Sequence, residues 1–182
     1  VCVPYTPTKK EKLMSGGDKF YRKPNRLKDF NYSASAGYFI TVCTYNRQRL
    51  FCSIINNKIV LTEAGTIAEK YLLSIPIIFT TIELDEYIVM PDHIHFILFN
   101  NKNEEENDRT KMLISKVVQQ YKFVCTREIK KISGADIKIW QRSFYDRIIR
   151  NQSELENIRK YIWLNPMKWE IEKDNPENLY LL

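Results

Sequence analysis

Polar and apolar positions alternate through TTIELDEYIVM at 80–90, and the chain then turns at Pro91-Asp92 into HIHFILF, a pattern that predicts an antiparallel hairpin. GYFITVCTY at 37–45 is rich in aromatic and β-branched residues and predicts a further, central strand. Helical spacing takes over elsewhere. Leu61, Ala64, Ile67, Ala68, Tyr71 and Leu72 predict a helix over 59–74, with Thr62 as a candidate N-cap and Pro76 as its stop. Leu113, Val117, Tyr121 and Val124 recur at three and four and predict a long amphipathic helix within 110–132. QSELENIRKYIWL at 152–164 predicts another, capped by Asn151 and stopped at Asn165-Pro166. Between these helices, IKIWQRSFYDRII is strand-like at its ends and turn-like in its middle.

The periodic part is preceded by residues 1–36, where Pro4, Pro7, Pro24, the Gly16-Gly17 pair and many basic residues predict an extended arm. Residues 37–176 then form one expected domain, a size that buries roughly two-thirds of its unfolded surface, and 177–182 a tail. Charge changes this picture. Lys and Arg outnumber Asp and Glu by 28 to 22, for a net charge of +6, which favours a polyanionic partner. The surplus is concentrated in the arm, with Lys12, Arg22, Lys23 and Arg26 among its cations, and in 116–150. Glu104, Glu105, Glu106 and Asp108 form an acidic loop that should stay away from nucleic acid. Cys2, Cys43, Cys52 and Cys125 form no CxxC pair, so a reduced, cytoplasmic setting is expected. Apolar runs fall well short of the roughly 18–20 residues of a membrane span.

The candidate chemistry centres on His93 and His95, the chain's only histidines. At i and i+2 of a strand they share a face, with Ile94 and Phe96 turned to the other layer. Neutral imidazoles so placed can hold one divalent cation, or they can be strand histidines satisfied by hydrogen bonds. A cation held this way leaves positions open for a phosphate oxygen. Tyr121, on the long helix, can supply a nucleophile if it reaches over the sheet, with Lys116 and Lys122 as nearby positive charge; the alternative is core packing. Among the other tyrosines, Tyr145 lies in a basic aromatic segment, whereas Tyr87 and Tyr161 sit where packing explains them better. In 140–150, Trp140, Arg142, Arg147 and Arg150 interleave stacking surface with phosphate-binding charge, which suits single-stranded or hairpin nucleic acid.

Four ordered segments, GYFITVCTYNR at 37–47, ELDEYIVMPDHIHFIL at 83–98, VVQQYKFVCTREI at 117–129 and WQRSFYDRIIRNQSELENIRKYIWLNPMKW at 140–169, together resemble the IS200-like transposases, and more narrowly their REP-associated tyrosine transposase branch of HUH-type single-strand nucleases. The resemblance implies an α+β, ferredoxin-like central antiparallel sheet with helices packed mainly on one side. It also implies a Mg²⁺ or Mn²⁺ ion on the histidine strand and a tyrosine on the following helix, which cleaves single-stranded DNA near a hairpin. That reaction gives a 5′-phosphotyrosine and a 3′-hydroxyl, and strand transfer can follow. On this chain the implied ligands are His93 and His95 and the implied nucleophile is Tyr121, with Arg142, Arg147 and the arm residues Lys12, Arg22, Lys23 and Arg26 as family-consistent DNA contacts; Lys116, Lys122, Trp140 and Arg150 join them as candidate DNA contacts on charge and aromatic patterning. Family catalytic helices can carry an amide four residues after the tyrosine as a further metal ligand. Here that position is Cys125, and Cys125, Glu128 or Asp92 are the alternatives for completing the shell. Pairing of subunits in some relatives makes a homodimer one expectation. A catalytically impaired, structure-specific nucleic-acid-binding module is the alternative to an enzyme.

Overall fold

The computed structural model describes residues 37–101 and 113–173. β1 (Gly37–Cys43) is interior, as its composition predicts, paired antiparallel on one side with β5 (His93–Asn100) and on the other with β6 (Tyr145–Ile149). β4 (Ile82–Val89) joins β5 through the Pro91-Asp92 turn, and the strand order is β4-β5-β1-β6. A register shift between Leu84 and Tyr87 interrupts the β4–β5 ladder. The fold is α+β around this antiparallel sheet.

Side-chain alternation on the sheet separates two apolar layers. Tyr38, Ile40, Val42, Ile94, Phe96 and Leu98 pack with Ala68 and Leu72 of α1 (Glu63–Leu73) and with Val117, Val118 and Tyr121 of α3 (Leu113–Ser133). Ile88, Met90 and Ile97 face the other way, against Leu155, Ile158 and Ile162 of α4 (Gln152–Lys173). Two helices therefore back one face of the sheet, and α4 covers the other.

Two element boundaries differ from the sequence expectation. The predicted helix over 59–74 begins only at Glu63, because β2 (Cys52–Ile55) and β3 (Lys58–Leu61) form a hairpin across Asn56-Asn57, both at positive φ. Asparagine tolerates that backbone in a two-residue turn. Thr62 is the N-cap, accepting from the Gly65 N–H at 3.0 Å. The helix ends at Leu73, before Pro76, which lies in the short helix α2 (Ile75–Ile78). The second difference is α4. Asn151 caps it as expected, accepting from the Glu154 N–H at 2.9 Å, but the helix runs through Pro166 to Lys173. Proline removes one intrahelical hydrogen bond at a cost of about 3 kcal/mol. Burial of Asn165 and Pro166 and the ring contact of Trp169 extend the packed face past that break. The basic arm, the acidic loop and the terminal tail lie outside the described residues, as do Lys12, Arg22, Lys23 and Arg26.

Candidate active site

β5 aims the histidines by parity: His93, His95 and Ile97 point to the α4 side, and Ile94, Phe96 and Leu98 into the opposite core. The two imidazoles lie edge to face with centroids 4.5 Å apart. Each ring has its Nδ1 engaged. His93 Nδ1 lies 2.5 Å from the Asp92 carboxylate, and His95 Nδ1 lies 2.7 Å from the hydroxyl of Thr41, its direct partner across the β1–β5 ladder. Asp92 is itself fixed: its carbonyl accepts from both the N–H and the hydroxyl of Thr44 at 2.9 Å, and its second carboxylate oxygen lies 3.4 Å from the Arg47 guanidinium.

α4 lies over this pair. Tyr161, Asn165 and Trp169, at i, i+4 and i+8, share one helical face. The Tyr161 hydroxyl is 3.4 Å from His95 Nε2 and its ring 5.4 Å from the imidazole, while the Trp169 ring is 6.1 Å from His93. Asn165 lies one helical turn from each of Tyr161 and Trp169 on the same face of α4. It is 6% exposed, and its amide nitrogen is buried without a hydrogen-bond partner. Phe39 stacks on His95 at 5.1 Å and closes that side. Arg49 lies over Trp169 and Lys168 over Tyr161, so the rim is basic.

These residues fit a divalent cation. With both Nδ1 atoms occupied, the Nε2 atoms are the available imidazole donors, and an asparagine amide can turn its oxygen toward a hard ion. A buried amide left half-satisfied is uncommon in a protein interior and is consistent with a ligand position. His95 suits the role electrostatically: burial first, then the neighbouring His93 and Arg47, hold its pKa well below the usual imidazole range, so the ring is neutral.

Tyr121 is elsewhere. It lies in the α1–α3 core, on the far side of the sheet, with its ring against Phe96 and Trp140 and its hydroxyl donating to the Ala68 carbonyl at 3.1 Å. Burial, with the Cys125 thiol beside it, drives its phenol well above the ordinary range, the opposite of what a nucleophile needs. The expectation that Tyr121 reaches the histidines is corrected, because a helix packed on the Phe96 side cannot present a residue to the His95 side. Cys125 goes with it: this thiol is in the same core, pushed up to about 12 by burial. Glu128, also on α3, is bonded to Arg127 and Lys131. Asp92 does adjoin the pair, but its carboxylate is committed to the Nδ1 of His93 and to Arg47.

The proposed nucleic-acid contacts divide similarly. Trp140 is 6% exposed, and its indole N–H donates to the Lys122 carbonyl, so it packs and offers no open stacking face. The Lys122 ammonium donates to the carbonyls of Gln141, Arg142 and Ser143, tying down that loop. Both residues, with exposed Arg142, line an open groove of about 510 Å³ beside α3. Lys116 is exposed on α3, Arg150 is exposed, and Arg147 is paired with Glu154 at 2.6 Å. Tyr145 stands in register with Thr41, on the histidine face two strands from His95, and is 49% exposed. The sequence reading missed Tyr161, Asn165, Thr41 and Trp169. The available signal was YIWLN, a tyrosine with an amide four residues on, the spacing that Tyr121–Cys125 lacks.

A paired-histidine strand under a helix that carries a tyrosine and an amide defines this site, and its sequence context has known relatives. The chain belongs to the family described as transposase IS200 like, whose pattern matches residues 34–165. It is 31% identical over 164 residues to an uncharacterized protein of Haemophilus influenzae, covering 82% of this chain and 91% of that one. A second protein of that organism, which carries the provisional name REP-associated tyrosine transposase, is 30% identical over 96 residues, 48% of this chain and 53% of the relative. In fold the chain is similar to a REP-associated tyrosine transposase solved bound to a REP hairpin, with a TM-score of 0.53 and 21% identity over 85% of this chain and 74% of that one.

Proposed function

We propose that this protein is a metal-dependent, single-stranded DNA endonuclease and strand-transfer enzyme that acts near DNA hairpins, with Tyr161 as its nucleophile in place of Tyr121. The observation that carries the reading is the Tyr161 hydroxyl 3.4 Å from His95 Nε2, with Asn165 one helical turn beyond. His93, His95 and Asn165 would hold Mg²⁺ or Mn²⁺, and the bound ion would supply Lewis-acid polarisation of the scissile phosphate. Tyr161, set on a rigid helix above the histidines, attacks the phosphorus. A bond forms between its phenolic oxygen and phosphorus, the P–O3′ bond breaks, the phenolic proton passes to solvent, and the departing oxygen becomes a 3′-hydroxyl. A second 3′-hydroxyl reversing this attack completes strand transfer. Lys168, over the Tyr161 ring, and Arg49, over Trp169, place positive charge where a DNA backbone would lie. Hairpin DNA is the proposed ligand because the solved relative of this fold binds a REP hairpin.

The test is a denaturing protein gel after incubation with end-labelled, hairpin-bearing single-stranded DNA, with Mg²⁺, Mn²⁺ or chelator. Wild type and Tyr121→Phe should form a covalent adduct that chelator prevents, and Tyr161→Phe should form none. An adduct that survives Tyr161→Phe overturns the assignment. Hairpin binding by wild type without any adduct points instead to a binding module.

A further inference from the structure

Metal-ligating imidazoles are commonly oriented by the partner of their second nitrogen, and removing that partner costs roughly 10–100-fold in metal affinity. Here the two histidines have two different partners from two different elements. We propose that Asp92 and Thr41 are positioning residues that fix the tautomer of His93 and His95 respectively, each holding the proton on Nδ1 so that both Nε2 lone pairs face α4. This inference rests on the metal site proposed above and assigns Asp92 to a role behind the ligand rather than in the coordination shell.

Each half has its own contact. A carboxylate accepts only, so the 2.5 Å contact from Asp92 Oδ1 places the His93 proton on Nδ1. Asp92 cannot drift, because Thr44 holds its carbonyl with two hydrogen bonds and Arg47 flanks its free oxygen. A hydroxyl can donate or accept, so the Thr41 contact alone leaves the His95 tautomer open. The Tyr161 hydroxyl, 3.4 Å from Nε2, is equally two-sided, and the metal site decides the matter: a cation on Nε2 needs that nitrogen's lone pair, so the proton sits on Nδ1 and Thr41, 2.7 Å away, accepts it. Thr41 is 6% exposed and lies directly opposite His95 in the β1–β5 register, so water does not compete for the contact. Backbone pairing thus delivers one partner and a tight turn the other.

The chain has two histidines, so an imidazole ¹⁵N–¹H correlation spectrum of the metal-free full chain reads both tautomers. Wild type should show both rings protonated at Nδ1. Asp92→Ala should shift only His93 from that form, and Thr41→Val only His95. Asp92→Asn and Thr41→Ser, which keep an acceptor oxygen, should restore the wild-type pattern. Mn²⁺ titration of the same proteins should show affinity reduced roughly 10–100-fold in Asp92→Ala and Thr41→Val and recovered in the conservative variants. An Nε2–H ring in wild type, or unchanged spectra in both variants, overturns the tautomer assignment. Correct tautomers with unaltered Mn²⁺ affinity in both variants overturn the positioning role. Wild type that binds no Mn²⁺ although both rings are protonated at Nδ1 overturns the metal reading and leaves the hydrogen-bond assignment standing, so the two failures are distinguishable.

Discussion

His95 meets solvent over 2% of its surface, stacks on Phe39 and contacts Thr41 and Tyr161. Burial keeps the folded ring neutral well below its ordinary value of 6.5. Below that value the unfolded chain binds a proton that the native protein refuses, so the stability associated with His95 is complete above pH 6.5 and is lost as pH falls. Thermal melting of the metal-free protein should therefore weaken between about pH 7 and about pH 5, and His95→Gln should flatten that limb. An equally steep limb in the variant would place the titration elsewhere. Tyr121 tests the opposite kind of residue. Tyr121→Phe loses the bond to the Ala68 carbonyl and should cost about 1 kcal/mol in denaturant unfolding while leaving Mn²⁺ affinity unchanged.

At the scale of the element, α4 holds together two roles. Leu155, Ile158 and Ile162 anchor it to the sheet, Arg159 bonds both oxygens of Asp85 on β4 at 2.8 Å, and Tyr161, Asn165 and Trp169 follow along the histidine face. Asn151→Ala should lower stability by about 1 kcal/mol through loss of the cap, read as a shifted denaturant midpoint with an unchanged slope. Much of this helix was legible: the apolar spacing of 152–164 and the Asn151 cap predict its body. Its end was not, because Pro166 reads locally as a stop, and only packing across the chain decides that the helix continues. Tyr161 was misjudged for the same reason. Periodicity places it on an apolar face, which is correct, but cannot say that this face lies over two imidazoles. The β2–β3 hairpin shows a different limit, since IVL at 59–61 fits a helical stripe until the positive-φ pair Asn56-Asn57 reveals a turn. Gly65, at the start of α1, sits where an added Cβ would fall 1.9 Å from the Phe51 carbonyl oxygen. Gly65→Ala should destabilise by about 1–3 kcal/mol, measured by denaturant unfolding.

Across the whole molecule the sheet divides labour: the α1–α3 side holds the larger core, and the α4 side holds every group proposed for chemistry. A ligand that binds the native state alone stabilises it, by about 2.7 kcal/mol at a hundredfold excess over Kd. Mn²⁺ should therefore raise the melting temperature of wild type and of Tyr121→Phe but not of the His93→Ala, His95→Ala double variant; a rise in that variant would locate the ion elsewhere. The alternation of β5 makes this division unusually sensitive to one class of genetic change. A substitution at His95 touches the chemistry and one at Phe96 touches the core, so the two can be lost independently. Insertion or deletion of a single residue within the strand would exchange the faces, sending imidazoles into the oily layer and Phe96 toward α4. Along that stretch a frame-preserving indel cannot be neutral for either property, and surviving length variation should be confined to the connections outside the ladder.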